Sequence, residues 1–205
     1  MVEKGNLLVF GKWDPAEVMI NDASLAKYVS LQTKMIPHTF GKGTRKRFEK
    51  GNVSIVERLI NKCMRSGQGK RKLSGKYIRG RGGCGKKVMV MHMVEKAFEI
   101  VEKRTGKNPI QVLVDAIQNA GPREDTTRIK RGGVSYAVSV DVAPLKKIDE
   151  ALKNIALAAF SGSYRTKTNS AEALAKELIS CAAEEATSFS VKRRDEVERI
   201  AKASR

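Results

Sequence analysis

Gly80-Arg81-Gly82-Gly83-Cys84-Gly85-Lys86-Lys87 comes nearest in this sequence to a site for chemistry. Its glycines and lysine have the spacing with which a P-loop cradles phosphates on backbone N–H groups. Lys87, however, stands where a Ser or Thr hydroxyl must hold magnesium, and no buried strand leads into the segment. Gly80, Gly82 and Gly85 also match a dinucleotide fingerprint, equally without a strand before them. Val112-Leu113-Val114-Asp115 imitates the acidic strand of an ATPase, yet it lies inside a helical pattern. Two histidines, His38 and His92, leave few general bases, and no activated serine or cysteine signature occurs. Cys63, Cys84 and Cys181 are far apart and odd in number, which suits a reducing compartment and not a disulfide scaffold. No ligand pair has zinc spacing. The residues predict neither an enzyme nor a metal or cofactor.

Charge says more. Forty Lys and Arg against 22 Asp and Glu leave a formal charge of +18 on 205 residues. Self-repulsion of that size penalises a compact monomer, and a polyanionic partner relieves it. There is no apolar run long enough to span a bilayer, no signal-type segment and no lipidation motif, so nucleic acid is favoured over a membrane. The cytoplasm is the default address. Two rival readings stay open on charge alone: a factor that hydrolyses nucleotides while remodelling RNA, and a DNA-compacting protein.

The elements that must position these charges follow from hydrophobic period. Residues 1–51 read as a peripheral, partly extended extension: an apolar run Leu7–Phe10, a turn at Asp14-Pro15, and a brief helix capped by Asp22 carrying Leu25, Tyr28 and Val29. Its end is a basic connector with Lys42, Arg45, Lys46, Arg47 and Lys50. A helical body, 52–205, begins with Asn52 as the cap of a helix striped by Val56, Leu59, Ile60, Cys63 and Met64. Arg58, Lys62 and Arg65 line another face, for a partner or for solvent. From Lys62 to Lys87 stand ten basic residues, no acidic one and seven glycines. The loop 67–87, with Lys70, Arg71, Lys72, Lys76, Arg79, Arg81, Lys86 and Lys87, has too few apolar groups to fold by itself. It is either a thin finger for threading between RNA helices or a solvated insertion.

A helix from about Lys86 to Arg104 follows, with Val88, Met91, Val94, Phe98 and Val101 apolar and one polar stripe of His92, Glu95, Glu99 and Glu102; Gly106 ends it. Another starts at Pro109 and stops at Gly121-Pro122. The period then changes to two. Val134, Tyr136, Val138, Val140 and Val142 alternate with small or polar residues, and Arg131-Gly132-Gly133 forms a hairpin turn back to Glu124–Lys130. This arm, 123–142, carries Arg123, Arg128, Lys130 and Arg131; Tyr136 either stacks on a base or packs on the valines. Three helices close the chain. Asn169 and Glu172 suggest a capping box for the second, Arg165 and Lys167 sit in the linker before it, and Lys192, Arg193 and Arg194 open the last, which could equally be a salt-bridged surface helix. The fold expected is mostly α: a six-helix, bundle-like body with a protruding β-hairpin arm.

Several stretches together carry a family likeness: Phe10-Gly11-Lys12-Trp13, Ile20-Asn21-Asp22-Ala23-Ser24-Leu25, Ile55-Val56-Glu57-Arg58-Leu59, Asn108-Pro109-Ile110-Gln111-Val112-Leu113-Val114, Gly121-Pro122-Arg123-Glu124-Asp125-Thr126-Thr127-Arg128-Ile129 and Asp195-Glu196-Val197-Glu198-Arg199-Ile200-Ala201-Lys202. The chain resembles, over nearly its whole length, the small-subunit ribosomal protein S-seven family, in the form called S-five in eukaryotes. The resemblance implies a structural constituent of the small subunit that binds ribosomal RNA of the head, helps it assemble, and lays its hairpin, Arg123 to Tyr136, near messenger RNA and exit-site transfer RNA. It also implies neighbouring small-subunit proteins as partners, nucleolar assembly if the source is eukaryotic, and ribosomal RNA held near Arg45, Lys62, Arg65, Lys86 and Lys87. The opening segment suits the eukaryotic or archaeal branch. Gln68 to Gly85 is longer and more basic than the family usually carries there.

Overall fold

A computed structural model describes residues 8–32, 34–41, 46, 48–65, 72–73, 76–77 and 85–205. Its helices are α1 (Ala23–Ala26), α2 (Ile55–Arg65), α3 (Lys87–Thr105), α4 (Pro109–Ala120), α5 (Pro144–Ser163), α6 (Ser170–Ala182) and α7 (Phe189–Lys202), with a 3-10 turn at Glu49–Asn52. The strands form two antiparallel pairs, β1 (Lys72–Leu73) with β2 (Lys76–Tyr77), and β3 (Glu124–Arg131) with β4 (Val134–Asp141). Six helices longer than two turns, a one-turn helix and a projecting hairpin give the mostly α architecture the sequence predicts. No helix among the described residues is long and apolar enough to cross a membrane.

α6 is the hub. Its Leu174, Ala175 and Leu178 are fully buried where it packs against α3, α4 and α5. α3 turns Val94, Ala97, Phe98 and Val101 inward, and Gly106 terminates it in the left-handed region at φ 65°, its N–H donating to the Glu102 carbonyl at 2.8 Å. α2 lies across α3 and α5, while α7 packs on α5 and the root of the hairpin.

The opening segment is not peripheral. Val9, Trp13, Leu25 and Val29 belong to the same core as the helices. Trp13, 5% exposed, meets Phe98 edge-on at 5.6 Å, and Phe10 completes the aromatic trio. The strap also uses up the polar stripe of α3. Lys12 Nζ donates to Glu95 at 2.8 Å and Glu99 at 2.5 Å, and Trp13 Nε1 donates to Glu102 at 3.1 Å. His92 stays on the exposed end of that stripe beside Glu95.

Local expectations needed three corrections. Asn52 lies in the 3-10 turn instead of capping α2; the helix starts at Ile55, where a bridge between Ser30 and Ser54 and the Ile55 N–H on the Ser30 carbonyl at 3.0 Å set its first turn. Asn169 does occupy the cap position of α6, but it makes no side-chain capping bond. Val88, with Met89, is exposed, because the first turn of α3 projects past the core.

Asp22 caps α1 through the Ser24 N–H at 3.0 Å and pairs with Lys147 at 2.8 Å. Lys147 is buried and crosses Gly121 so closely that a Cβ there would stand 2.5 Å from its Cγ, so a side chain at this position would have to displace Lys147. The Lys147 hydrogen bond, then the Ser24 hydroxyl, hold the Asp22 carboxyl down from 3.8 to about 2. A depressed carboxylate stabilises the fold above its unfolded pKa and loses that contribution as pH falls toward its folded one. Stability curves of the wild type and Asp22→Asn should therefore converge between about pH 4 and pH 2. A gap that stays constant with pH would rule this linkage out.

Candidate nucleic-acid interface

Cations divide into those held inside and those left outside. Arg58 is inside. Expected on a basic row facing a partner, it is only 3% exposed, donates Nη1 to the Tyr28 carbonyl at 3.1 Å, and reaches Asp149 on α5 at 3.4 Å. Asp149 also receives Lys50 at 2.5 Å and Lys62 at 3.3 Å. Burial works to raise the Asp149 pKa, but the Lys50 hydrogen bond and the charges of Lys62, Lys50 and Arg58 outweigh it and keep the group below its ordinary value. Burial draws both Arg58 and Lys62 down, and Asp149 pulls each partly back. Arg65, a turn further along α2, is exposed at the rim.

Lys87 is likewise an internal cation. Its Nζ lies 2.6 Å from Glu57, a carboxylate 1% exposed that also accepts from the Thr39 N–H at 2.9 Å and hydroxyl at 3.0 Å. This trio ties the 34–41 segment, α2 and the start of α3 together. In the P-loop-like stretch, then, the last residue serves a protein carboxylate, while Lys86 beside it is exposed. Val112–Asp115 are helical, part of α4, so the ATPase-like acidic strand is absent from that position.

The hairpin is the arm that alternation predicts. Gly132 and Gly133, at φ 58° and 83°, make the two-residue turn, and the right-handed strand twist requires positive φ at both positions. Register pairs Ile129 with Tyr136, Thr127 with Val138 and Arg128 with Ala137. Cross-strand partners share a face and neighbours alternate. One face therefore groups Ile129, Val134, Tyr136, Val138 and Val140, and the other carries Arg128 and Lys130 with Ser135, Ala137 and Ser139. Both faces are open; Tyr136 is 54% exposed, so its cross-strand packing leaves much of the ring accessible. The root is fastened by Lys146 on Asp125 at 2.7 Å, by the Arg123 N–H on Glu198 at 2.9 Å, and by Arg205 on Glu124. The Arg123 side chain is exposed.

In the linker between α5 and α6, Tyr164 stacks on Phe160, and the Arg165 guanidinium lies 5.3 Å over the Tyr164 ring; Lys167 is exposed. α7 splits. Lys192 faces solvent and Arg193 pairs with Glu196, but Arg194 is committed to Glu184 at 2.6 Å, Asp195 at 2.8 Å and the Asn119 carbonyl at 2.7 Å. Lys46 is exposed. Lys42, Arg45, Arg47, Lys70, Arg71, Arg79 and Arg81 lie outside the described residues, as do the side chains of Lys72, Lys76 and Arg131.

Sequence reasoning missed Lys96 and Lys103, exposed two turns apart on the outer face of α3. Their seven-residue spacing was the available signal. It also missed Asp149, which no local pattern marks. Cys63 and Cys181 are buried, desolvation pushing each thiol up to about 12, too high for a nucleophile at neutral pH. Among the described residues no three His, Cys, Asp or Glu side chains gather as a metal site.

Fold and surface together define a class: a helical scaffold that pairs its central carboxylates within the chain and exposes surplus cations on a projecting arm and on helix faces. The family description "Ribosomal protein S7p/S5e" matches residues 25–205, and the chain belongs to that family. It is 46% identical over 202 residues to the small ribosomal subunit protein uS7 of Archaeoglobus fulgidus, covering 98% of this chain and 97% of the relative. It is 43% identical over 197 residues to the uS7 protein of Methanococcoides burtonii, covering 96% and 98%. The family is structural and non-enzymatic, which agrees with both the resemblance and the expectation of no catalysis.

Proposed function

We propose that this chain is a constituent of the small ribosomal subunit that binds ribosomal RNA of the head, helps that RNA assemble, and lays the β3–β4 arm near messenger RNA and exit-site transfer RNA. The carrying observation is the partition of charge. Glu57, Glu95, Glu99 and Asp149 are engaged by cations of the chain itself, whereas Lys86, Arg128, Lys130, Lys167 and Lys192 stand exposed. Phosphate contacts by such groups release condensed counterions and dominate affinity. Specificity follows from shape, since the deep, narrow major groove of A-form RNA hides its base edges. The relatives are archaeal small-subunit proteins, so ribosomal RNA and neighbouring subunit proteins are the partners and the cytoplasmic ribosome is the workplace; a nucleolar stage belongs to this reading only in a eukaryotic source.

Cross-linking from a photoreactive group at Tyr136 in assembled subunits tests the arm. The expected products join the arm to messenger RNA or exit-site transfer RNA, and products confined to unrelated RNA would place the arm elsewhere. The nucleotide-hydrolysing rival predicts hydrolysis that Lys86→Ala removes. The expected result here is no hydrolysis above buffer in either protein, together with weaker RNA binding in the variant.

A further inference from the structure

Beside Asp149 lies a cavity of about 160 Å³, lined in part by Lys50, Arg58, Asn61, Lys62, Arg65 and Asp149. Among the described residues four cations there face one carboxylate, and neighbouring Glu150 is engaged by Lys153. Three positive charges are left over. The excess is not merely a surface field, since Arg58 is almost fully buried and its Nε has no hydrogen-bond partner among the described residues. A buried N–H without an acceptor is costly, more so when the group is charged. The cavity holds the volume of about five waters at roughly 30 Å³ each, enough for a tetrahedral oxyanion with some of its hydration.

We propose that this cavity is a seat for a single phosphate group, with Lys62 and Arg65 as its principal ligands, the buried Arg58 guanidinium as fixed positive charge beneath it, and Asp149 as the counter-charge that holds Lys50, Arg58 and Lys62 in place. Donors arriving from α2 and from the 3-10 turn, above the buried Arg58 charge, suit a tetrahedral anion better than a planar carboxylate. The phosphate is either free inorganic phosphate or one phosphodiester of bound RNA; the second source rests on the RNA-binding function proposed above.

The test is thermal unfolding of the full chain with and without inorganic phosphate, at ionic strength matched by chloride. Wild type, Lys62→Met, Arg65→Gln and the remote control Lys107→Gln are each compared with themselves. With phosphate ten-fold above its dissociation constant, the wild-type and Lys107→Gln midpoints should rise by about 3–6 °C. Lys62→Met and Arg65→Gln should lose at least about ten-fold in phosphate affinity and most of that rise. An equal rise in all four proteins, no rise in any, or an equal rise with acetate overturns the proposal. Salt titration of RNA binding separates the sources. In Lys62→Met the log–log slope becomes shallower by about one if an RNA phosphate occupies the seat, and stays unchanged, with the thermal effect lost, if free phosphate does. A wild-type RNA slope near zero would sink the RNA-binding reading alone, leaving the thermal result to judge the seat.

Discussion

Replacing Lys87 with methionine should cost about 3–5 kcal/mol of stability, the range for stranding one partner of a buried ion pair. Glu57 is almost completely enclosed, and its Oε2 already lacks a hydrogen-bond partner. Its other oxygen accepts three hydrogen bonds, and Lys87 supplies the charged one. Without that ammonium the carboxylate keeps, among the described residues, the Thr39 donors, and the junction of α2, α3 and the 34–41 segment loses the charge that neutralises it. Denaturant unfolding measures the effect as a drop in midpoint at unchanged slope. The double variant Lys87→Met/Glu57→Gln should recover much of the loss, because the stranded charge is then gone. A single-variant change within about 0.5 kcal/mol, the size expected of a surface lysine, would mean that Lys87 is not structural.

Trp13→Ala has a comparable expected effect, about 3–5 kcal/mol, in a fold whose total stability is of the order of 5–15 kcal/mol. The indole packs edge-on against Phe98, itself fully buried, and against Phe10, and its N–H reaches Glu102. Removing it opens a void in the core and strands the strap that neutralises α3. Trp13→Phe keeps the ring packing and gives up chiefly the Glu102 bond, so it should cost distinctly less. Equal, small losses in both variants would return residues 8–29 to the periphery.

These two positions show where sequence reasoning succeeds and where it stops. The hairpin was legible because a strict period of two, closed by Gly132-Gly133, is a local signal that fixes register by itself. α3 and α4 were legible for the same reason, from their period and from Gly106, Pro109 and Gly121. The polar stripe of Glu95, Glu99 and Glu102 was visible too, but not its use, since Lys12 and Trp13 close on it from 83 to 89 residues away. Helical spacing puts Arg58, Lys62 and Arg65 on one face as a basic row. Spacing does not tell which face another helix covers, and Asp149, 91 residues from Arg58, decides that. Lys87 gave no warning for the same reason: its partner Glu57 lies on a different helix. Charged residues of a binding surface and charged residues of an internal network have the same composition, and only tertiary placement separates them.

That separation is the central claim, and the salt dependence of ribosomal RNA binding tests it most directly. With head-domain RNA, log K against log salt should fall with a slope of roughly −6 to −7, as for about eight phosphates engaged. Arg128→Gln/Lys130→Gln, which touches only exposed cations, should flatten that slope by about 1.5–2 with stability unchanged. Lys87→Met, which touches an internal one, should leave the slope alone under conditions where it remains folded. A wild-type slope near zero, or a slope that responds to Lys87 and ignores the hairpin pair, would contradict the account.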